Sequence, residues 1–204
     1  MKTRTPATRI LARTAVVALL AVSAAFFAGC GKKDEGGDSA DKKEAVEKGK
    51  EDFQKGLEAC KEKKFDDAVN SFEKAVKAGN TDAMILLGNC YYTEKGVEED
   101  KVKAKELIKK AADAGNVKAK FFVLLLDAED GKIEIGEAFE KMKKLDAELL
   151  KLAEANDPLA QVTYISFCQL RVDMEGSPEA KAKASEDLDK WYEKAKETGA
   201  DKLL

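Results

Sequence analysis

Residues 83–116 decide the fold and read AMILLGNCYYTEKGVEEDKVKAKELIKKAADAGN. Two runs rich in helix-forming residues flank a short segment around Gly96, and the second run closes at Gly115. The stretch is typical of one helix–turn–helix unit. Other parts of the chain repeat its ends at a regular spacing, which indicates an architecture of stacked repeats rather than a fold built around one pocket.

The ends of the units are the clearest repeated signal. A residue that tolerates a left-handed conformation closes each unit, at Gly79, Gly115, Asn156 and Gly199. These positions are 36, 41 and 43 residues apart. The residue that follows the first three is a good N-cap for the next helix, and these caps are Asn80, Asn116 and Asp157. Each pair therefore predicts the end of one helix and the start of the next.

The predicted fold class is all-α, an α-solenoid of about four antiparallel helix pairs. The eight predicted helices span 44–61, 65–78, 81–94, 100–114, 117–130, 135–155, 158–174 and 178–198. The predicted units are 44–79, 80–115, 116–156 and 157–199, within a repeat domain at 44–204. No unit could bury its apolar face alone, so the stacking of all four is expected to form one core.

The N-terminal residues 1–29 predict a signal peptide. Four basic residues and no acidic residue precede the uncharged run of 14 residues at 14–27, which is too short to span a bilayer comfortably. The run ends at Phe27-Ala28-Gly29-Cys30, which resembles the lipobox of bacterial lipoproteins. This resemblance implies a lipidated Cys30. The residues that follow it have no large apolar side chain to bury, which predicts a flexible tether at 30–43. An ordinary signal peptide cut nearby, or an uncleaved anchor, is the alternative.

Charge narrows the choice of partners. Removal of residues 1–29 takes four positive charges and changes the formal net charge from −3 to −7. An acidic chain of this kind is a poor ligand for nucleic acid, whose binding requires basic residues opposite the phosphates. Any membrane attachment is expected through acyl chains. Gly31 and Lys32 stand where enterobacterial lipoproteins that stay in the inner membrane carry Asp, which favours an outer-membrane protein facing the periplasm.

The second unit resembles a Sel1-like repeat. Its matching positions are Ala83, Leu87, Gly88, Tyr91, Tyr92, Gly96, Val97, Asp100, Lys103, Ala104, Lys110, Ala111, Ala112 and Gly115. The fourth unit shares the second half of this pattern through Trp191, Tyr192, Lys194, Ala195 and Gly199. The first is similar to the related tetratricopeptide repeat at Gly56, Ala68, Phe72 and Ala75, and the third is degenerate. The resemblance implies an adaptor that binds a protein or peptide partner.

The residue types argue against catalysis. The chain contains no histidine, so nucleophiles activated by histidine and histidine-rich metal sites are absent. Acidic runs such as 98–100 are expected to be solvated helix ends. We therefore expect no catalytic residue, no metal and no cofactor. A cell-wall-related enzyme is the least favoured alternative, since the Sel1-like proteins for which that activity is suggested carry a regular cysteine pair in each repeat.

Three cysteines remain in the predicted repeat domain, at Cys60, Cys90 and Cys168. When units are aligned by their 36-residue spacing, Cys60 and Cys90 are six residues out of register. Six residues correspond to about 9 Å of helical rise, more than a disulfide tolerates without a tilt of the helices. The sequence therefore favours buried free thiols, and a Cys60–Cys90 disulfide remains the alternative.

The predicted partner-binding residues lie on the first helix of each unit, which lines the concave side of such solenoids. Twelve positions carried across the units form this set: Lys50, Phe53, Leu57, Leu86, Asn89, Thr93, Phe122, Leu125, Glu129, Thr163, Ser166 and Leu170. Phe53 and Phe122 are expected to be partly exposed there. The alternative for the apolar members is packing between helices. A structural subunit that uses its convex face, or an apolar end at Leu203-Leu204, is the alternative function.

Overall fold

A computed structural model describes residues 40–200, and the side chains of residues 44–200 within them. The described part is helical and contains no β-strand. Its helices are α1 (Ala40–Lys61), α2 (Phe65–Lys77), α3 (Thr81–Thr93), α4 (Lys101–Asp113), α5 (Val117–Glu129), α6 (Ile135–Lys143), α7 (Asp146–Glu154), α8 (Pro158–Met174) and α9 (Pro178–Thr198). The predicted signal peptide, Cys30, the tether up to residue 39 and Leu203-Leu204 lie outside the described residues.

The predicted helix ends are confirmed. Asn80, Asn116 and Asp157 each accept a hydrogen bond on the side chain from the backbone N–H three residues later, at 2.9, 3.1 and 2.9 Å. The residues predicted to end the units have positive φ: Gly79 at 84°, Gly115 at 93°, Asn156 at 62° and Gly199 at 73°. Four units thus end through the same local chemistry, a left-handed residue that closes each helix pair.

Two predicted boundaries were wrong. α1 begins at Ala40, four residues before the predicted start, so the predicted tether was wrong at residues 40–43, a segment that contains no glycine or proline. The predicted helix 135–155 is divided into α6 and α7. Around the break the N–H groups of Lys144 and Leu145 bond carbonyls three residues back, at 3.2 and 2.9 Å. These tighter bonds turn the chain. The segment contains no glycine or proline, so its sequence did not predict a break.

The helices stack in chain order around one core. α1 packs on α2, α3 on α4 and α8 on α9, while α2, α4 and α7 contact the first helix of the following unit. Aromatic rings fill the C-terminal half: the ring centroid of Phe167 lies 5.9 Å from that of Phe121, 6.3 Å from Phe139 and 6.2 Å from Tyr164. Side chains from α5, α6 and α8 thereby share one buried cluster, to which Trp191 of α9 adds its ring.

Small residues set the helix spacing in the N-terminal half. A Cβ atom added at Gly56 would lie 2.4 Å from the Phe72 ring. One added at Gly88 would lie 3.0 Å from the carbonyl oxygen of Ala104 and from Ile108. Gly56 therefore allows α1 to approach α2 closely, and Gly88 serves the same purpose in the second unit. None of the described helices is long and apolar enough to cross a membrane.

Candidate binding surface

The structure buries seven of the twelve predicted partner-binding residues. These are Leu86, Asn89, Phe122, Leu125, Thr163, Ser166 and Leu170. Phe122 is only 5% exposed, so the predicted partial exposure of this residue was wrong, whereas Phe53 is partly exposed as predicted. The seven offer no free surface to a partner in this conformation, and a binding role for them stays a prediction.

Burial runs along whole stretches of the first helices. Every residue from Ala83 to Tyr91 in α3 and from Leu159 to Cys168 in α8 is buried. Periodicity in the sequence indicates which side of a helix faces inward, but it does not show how closely the other sides are covered. This explains why Leu86 and Asn89 of α3 and Thr163 and Ser166 of α8 lack accessible surface.

The hydroxyl groups predicted to face a partner bond their own helices instead. Thr163 donates to the carbonyl oxygen of Leu159 at 2.6 Å, and Ser166 donates to that of Val162 at 3.1 Å. Thr93 donates in the same way to the carbonyl oxygen of Asn89 at 2.9 Å. Because these bonds satisfy the hydroxyl donors locally, Thr163 and Ser166 can be buried at little cost.

The remaining predicted positions reach solvent and fall into two places. Lys50 is exposed on α1, and Phe53 and Leu57 are partly exposed on the same helix. Val46, four residues before Lys50, is 45% exposed and extends this stripe. The Phe53 ring lies 6.0 Å from that of Phe72, so one side of it is anchored in the core. We call Val46, Lys50, Phe53 and Leu57 the α1 stripe.

The second place is the C-terminal ends of α3 and α5. The Tyr92 hydroxyl donates to the Glu129 carboxylate, with oxygen–oxygen distances of 2.7 and 2.9 Å. The Lys101 ammonium lies 5.5 Å from the centre of the Tyr92 ring. Thr93 and Glu129 are both partly exposed. This arrangement fixes α3 relative to α5, and it engages the Glu129 carboxylate with a side chain of the protein itself.

A polar cluster between units was missed by sequence reasoning. Lys118, 4% exposed, forms ion pairs with Asp82 at 3.0 Å and Asp157 at 2.5 Å. The Asn116 side-chain amide donates to the other Asp82 oxygen at 2.6 Å. Asp82, Asn116, Lys118 and Asp157, which we call the seam cluster, stand at the starts of α3, α5 and α8. They therefore join three successive units at one edge.

The charge of Lys118 is held in place by its partners. Burial alone would lower the pKa of Lys118, but Asp82 and Asp157 outweigh it and hold that pKa above its ordinary value. A visible signal existed in the sequence, since Asp82 and Lys118 occupy the same repeat position 36 residues apart with opposite charge. A lysine in the first turn of a helix is also unfavourable for the helix dipole, which suggests a nearby acid.

The cysteine and acidic side chains of the described residues are the candidates for a nucleophile and for a metal site. The free thiols of Cys60, Cys90 and Cys168 are all buried. Burial raises the pKa of Cys60 to about 11 and the pKa values of Cys90 and Cys168 to about 12. Such thiols are protonated at neutral pH and are weak nucleophiles. Within residues 40–200, no group of three acidic, cysteine or histidine side chains could hold a metal ion.

Comparison with known proteins gives one result. Residues 81–116 match the family model described as the Sel1 repeat. These residues comprise α3, α4 and the Asn116 cap, which is the unit that the sequence identified as the best match. No curated protein and no solved structure matches the chain.

Proposed function

We propose, from the premise that residues 81–116 form a Sel1 repeat, that this protein is an interaction scaffold anchored by lipid in the bacterial envelope. Sel1 repeats suggest protein–protein interaction, and an all-helical fold of this type is typically a non-enzymatic scaffold. The single observation that carries the proposal is this repeat together with its continuation into further helix pairs with the same caps. The partner is a protein or peptide.

The α1 stripe is the best-supported contact surface. Phe53 and Leu57 provide apolar anchors that are partly exposed, and Lys50 lies beside them in an exposed ion pair with Glu47 at 3.2 Å. Binding energy in protein interfaces is concentrated in a few anchors of this type. Because the Phe53 ring is already ordered against Phe72, little side-chain entropy is lost when a partner covers it. A partner with apolar side chains and an acidic residue fits this stripe.

Apolar exposure on the second helices supports a second candidate function, a structural subunit. Val102 on α4 is 70% exposed, and Tyr192 on α9 is 38% exposed. Both stand on second helices, which form the outer layer of a helix-pair stack. A protein that joins an assembly through its convex face would use these residues and leave the α1 stripe free.

The two candidates can be separated by a photo-crosslinking amino acid placed at position 53, 57, 102 or 192 in intact cells. The scaffold proposal expects the same crosslinked protein from positions 53 and 57 and no specific product from 102 and 192. Products from 102 and 192 alone would reject the α1 stripe and favour the structural subunit.

Lipid anchoring rests on the sequence before the described residues. The lipobox-like residues 27–30 support acylation of Cys30, and the short uncharged run at 14–27 supports export by a signal peptide. Metabolic labelling with a fatty-acid analogue is expected to mark the wild-type protein and not the Cys30→Ser variant. Equal labelling of the two would reject the anchor. Fractionation of the labelled protein into inner and outer membranes then tests the proposed outer-membrane location.

A further inference from the structure

The thiols of Cys60 and Cys90 stand closer in register than the sequence spacing indicates. The 36-residue alignment put them six residues apart. The second helices do obey this spacing, since α2 begins at Phe65 and α4 at Lys101. The first helices do not, because α1 ends at Lys61 and α3 at Thr93, only 32 residues later. The turn between the two helices is longer in the second unit than in the first. The first helices therefore align at a spacing of 32 residues and the second helices at a spacing of 36.

The glycine contacts confirm the 32-residue register of the first helices. Gly56 approaches Phe72 of α2, and Gly88, 32 residues later, approaches Ile108 of α4. In this register Cys60 corresponds to Tyr92, so Cys90 stands only two residues before the matching position. Two residues correspond to about 3 Å of helical rise, a difference that a disulfide can span.

Helix geometry also indicates which side of α3 and of α1 each thiol occupies. Cys90 follows Gly88 by two residues, about 200° around the helix, so it faces away from α4. Cys60 follows Gly56 by four residues and lies on nearly the same side of α1 as the contact with α2. α2 packs against both α1 and α3, so the two helices that carry the thiols border the same helix at the junction of the first two units.

The turn that follows Cys90 contacts the start of α2, which begins five residues after Cys60. A Cβ atom added at Gly96 would lie 2.3 Å from the carbonyl carbon of Phe65, and the Lys95 ammonium lies 5.7 Å from the centre of the Phe65 ring. Electrostatic coupling agrees with this proximity. Burial is the main cause of the raised pKa of Cys90, the charge of Cys60 adds to it, and Lys95 opposes the rise at both thiols.

We propose that Cys60 and Cys90 form a redox-modifiable pair whose disulfide joins the first helix pair to the second, with a disulfide-bearing thiol oxidant as the co-reactant. The Cys60 thiolate attacks one oxidant sulfur and expels the other as a thiolate. The Cys90 thiolate then attacks the Cys60 sulfur of the mixed disulfide and releases the second oxidant thiolate. Two electrons pass to the oxidant, and the two cysteine protons protonate its thiolates.

Burial of both thiols determines when this reaction takes place. In the folded chain they are protonated and covered, so exchange is slow. Oxidation occurs while the chain folds or when the first two units separate. Cys168 on α8 belongs to the fourth unit, with the third unit between it and Cys90, and it provides a matched buried thiol that cannot join the pair.

The test uses the full chain with Cys30→Ser, so that the three buried thiols are the only cysteines. The reduced, denatured protein is refolded in a buffer of reduced and oxidised glutathione, then quenched with iodoacetamide, digested and analysed by mass spectrometry. A linked Cys60–Cys90 peptide, two hydrogens lighter than the sum of its reduced parts, is expected as the main product. The additional Cys168→Ala substitution is expected to leave this product unchanged.

Unfolding provides the second measurement. The oxidised protein is expected to unfold at a higher guanidinium concentration than the reduced protein, because a disulfide restricts the unfolded chain. Cys90→Ala and Cys60→Ala are each expected to abolish this difference, while Cys168→Ala retains it. The proposal would be overturned if the refolded protein had all three thiols alkylated, or if it carried glutathione adducts but no linked peptide. Links that involve Cys168 would overturn it as well.

Discussion

The second and third units use different means to hold a helix pair together. In the second unit, α3 approaches α4 closely because Gly88 has no side chain, and a Cβ atom there would lie 3.0 Å from the carbonyl oxygen of Ala104. In the third unit, Gly136 has no atom within 4 Å of an added Cβ. Instead, Phe121 of α5 and Phe139 of α6 both contact the ring of Phe167, which belongs to α8 of the fourth unit and joins the two helices from outside their own unit.

This difference explains where the family pattern is recognised. The Sel1 match covers residues 81–116, where small residues and a fixed turn define the packing. The third unit keeps the caps Asn116 and Asn156 but divides its second helix into α6 and α7. The caps thus preserve the path of the chain between units, while the packing of the helices changes from close backbone approach within a unit to aromatic contacts with the next unit.

The largest effect is expected from Gly96→Ala in the second unit. Gly96 has a φ of 70°, and an added Cβ would lie 2.3–2.7 Å from backbone atoms of Phe65 and Asp66. Strain and overlap together are expected to lower the free energy of unfolding by about 3 kcal/mol. Denaturant unfolding measures this change.

Gly136→Ala is the matched control in the third unit. The added methyl group meets no atom, and alanine is the better helix former, so a gain of about 0.5 kcal/mol in unfolding free energy is expected. If both substitutions lowered the unfolding free energy equally, the third unit would be packed as closely as the second, and the two units would not differ in packing.

The next effect is expected where the two units meet, at Lys118. Lys118→Met leaves the Asp82 and Asp157 carboxylates without their shared ammonium, and about 2 kcal/mol of unfolding free energy is expected to be lost. The estimate stays below the cost for a fully buried pair because both carboxylates are about a quarter exposed. The double substitution Asp82→Asn with Lys118→Met should lose less than the sum of the single losses.

The pH dependence of this cluster has a defined direction. Asp82 and Asp157 hold the folded-state pKa of Lys118 above the ordinary value of 10.5 despite burial. The stability it contributes is fully present below that value and is lost as the pH rises through the folded-state pKa. The difference in unfolding free energy between wild type and Lys118→Met should therefore be constant from pH 7 to pH 9 and shrink above 10.5. A difference that shrinks already between pH 7 and pH 9 would exclude the cluster as its source.

The smallest effect on the unfolding free energy is expected at the unit ends, where the second and third units have the same kind of left-handed residue. Gly115 has a φ of 93° and no atom within 4 Å of an added Cβ, so Gly115→Val costs only backbone strain, about 1–2 kcal/mol. Gly115→Asn imitates Asn156 of the third unit and is expected to cost less than about 0.5 kcal/mol. Thermal unfolding compares the two variants, and identical melting would contradict the equivalence of the unit ends.

Local chemistry made most helix boundaries predictable. Glycine or asparagine at a left-handed position followed by a capping side chain leaves few alternatives for the backbone, so the ends at Gly79, Gly115 and Asn156 were predicted correctly. The break at Lys144 was not predicted, because its turn is formed by local backbone hydrogen bonds to carbonyls three residues back, in a segment that contains no glycine or proline.

The binding surface was harder to predict. Helical periodicity correctly placed Phe53 at a partly exposed position, but it could not show that the remaining sides of α3 and α8 are covered. The predicted register of Cys60 and Cys90 was wrong for a related reason, since one spacing of 36 residues was applied to helices that are joined by turns of different length. Opposite charges at Asp82 and Lys118 were visible in the sequence and would have predicted the seam cluster.

Titration of the crosslinked partner, once it is identified, against purified variants tests the central claim most directly. Phe53→Ala removes an anchor of the α1 stripe, and Tyr192→Ala removes an exposed ring of the outer layer. The scaffold account predicts that Phe53→Ala weakens the Kd by about tenfold or more, as for a binding hot spot, while Tyr192→Ala leaves the Kd unchanged. An unchanged Kd for Phe53→Ala with a tenfold loss for Tyr192→Ala would contradict it.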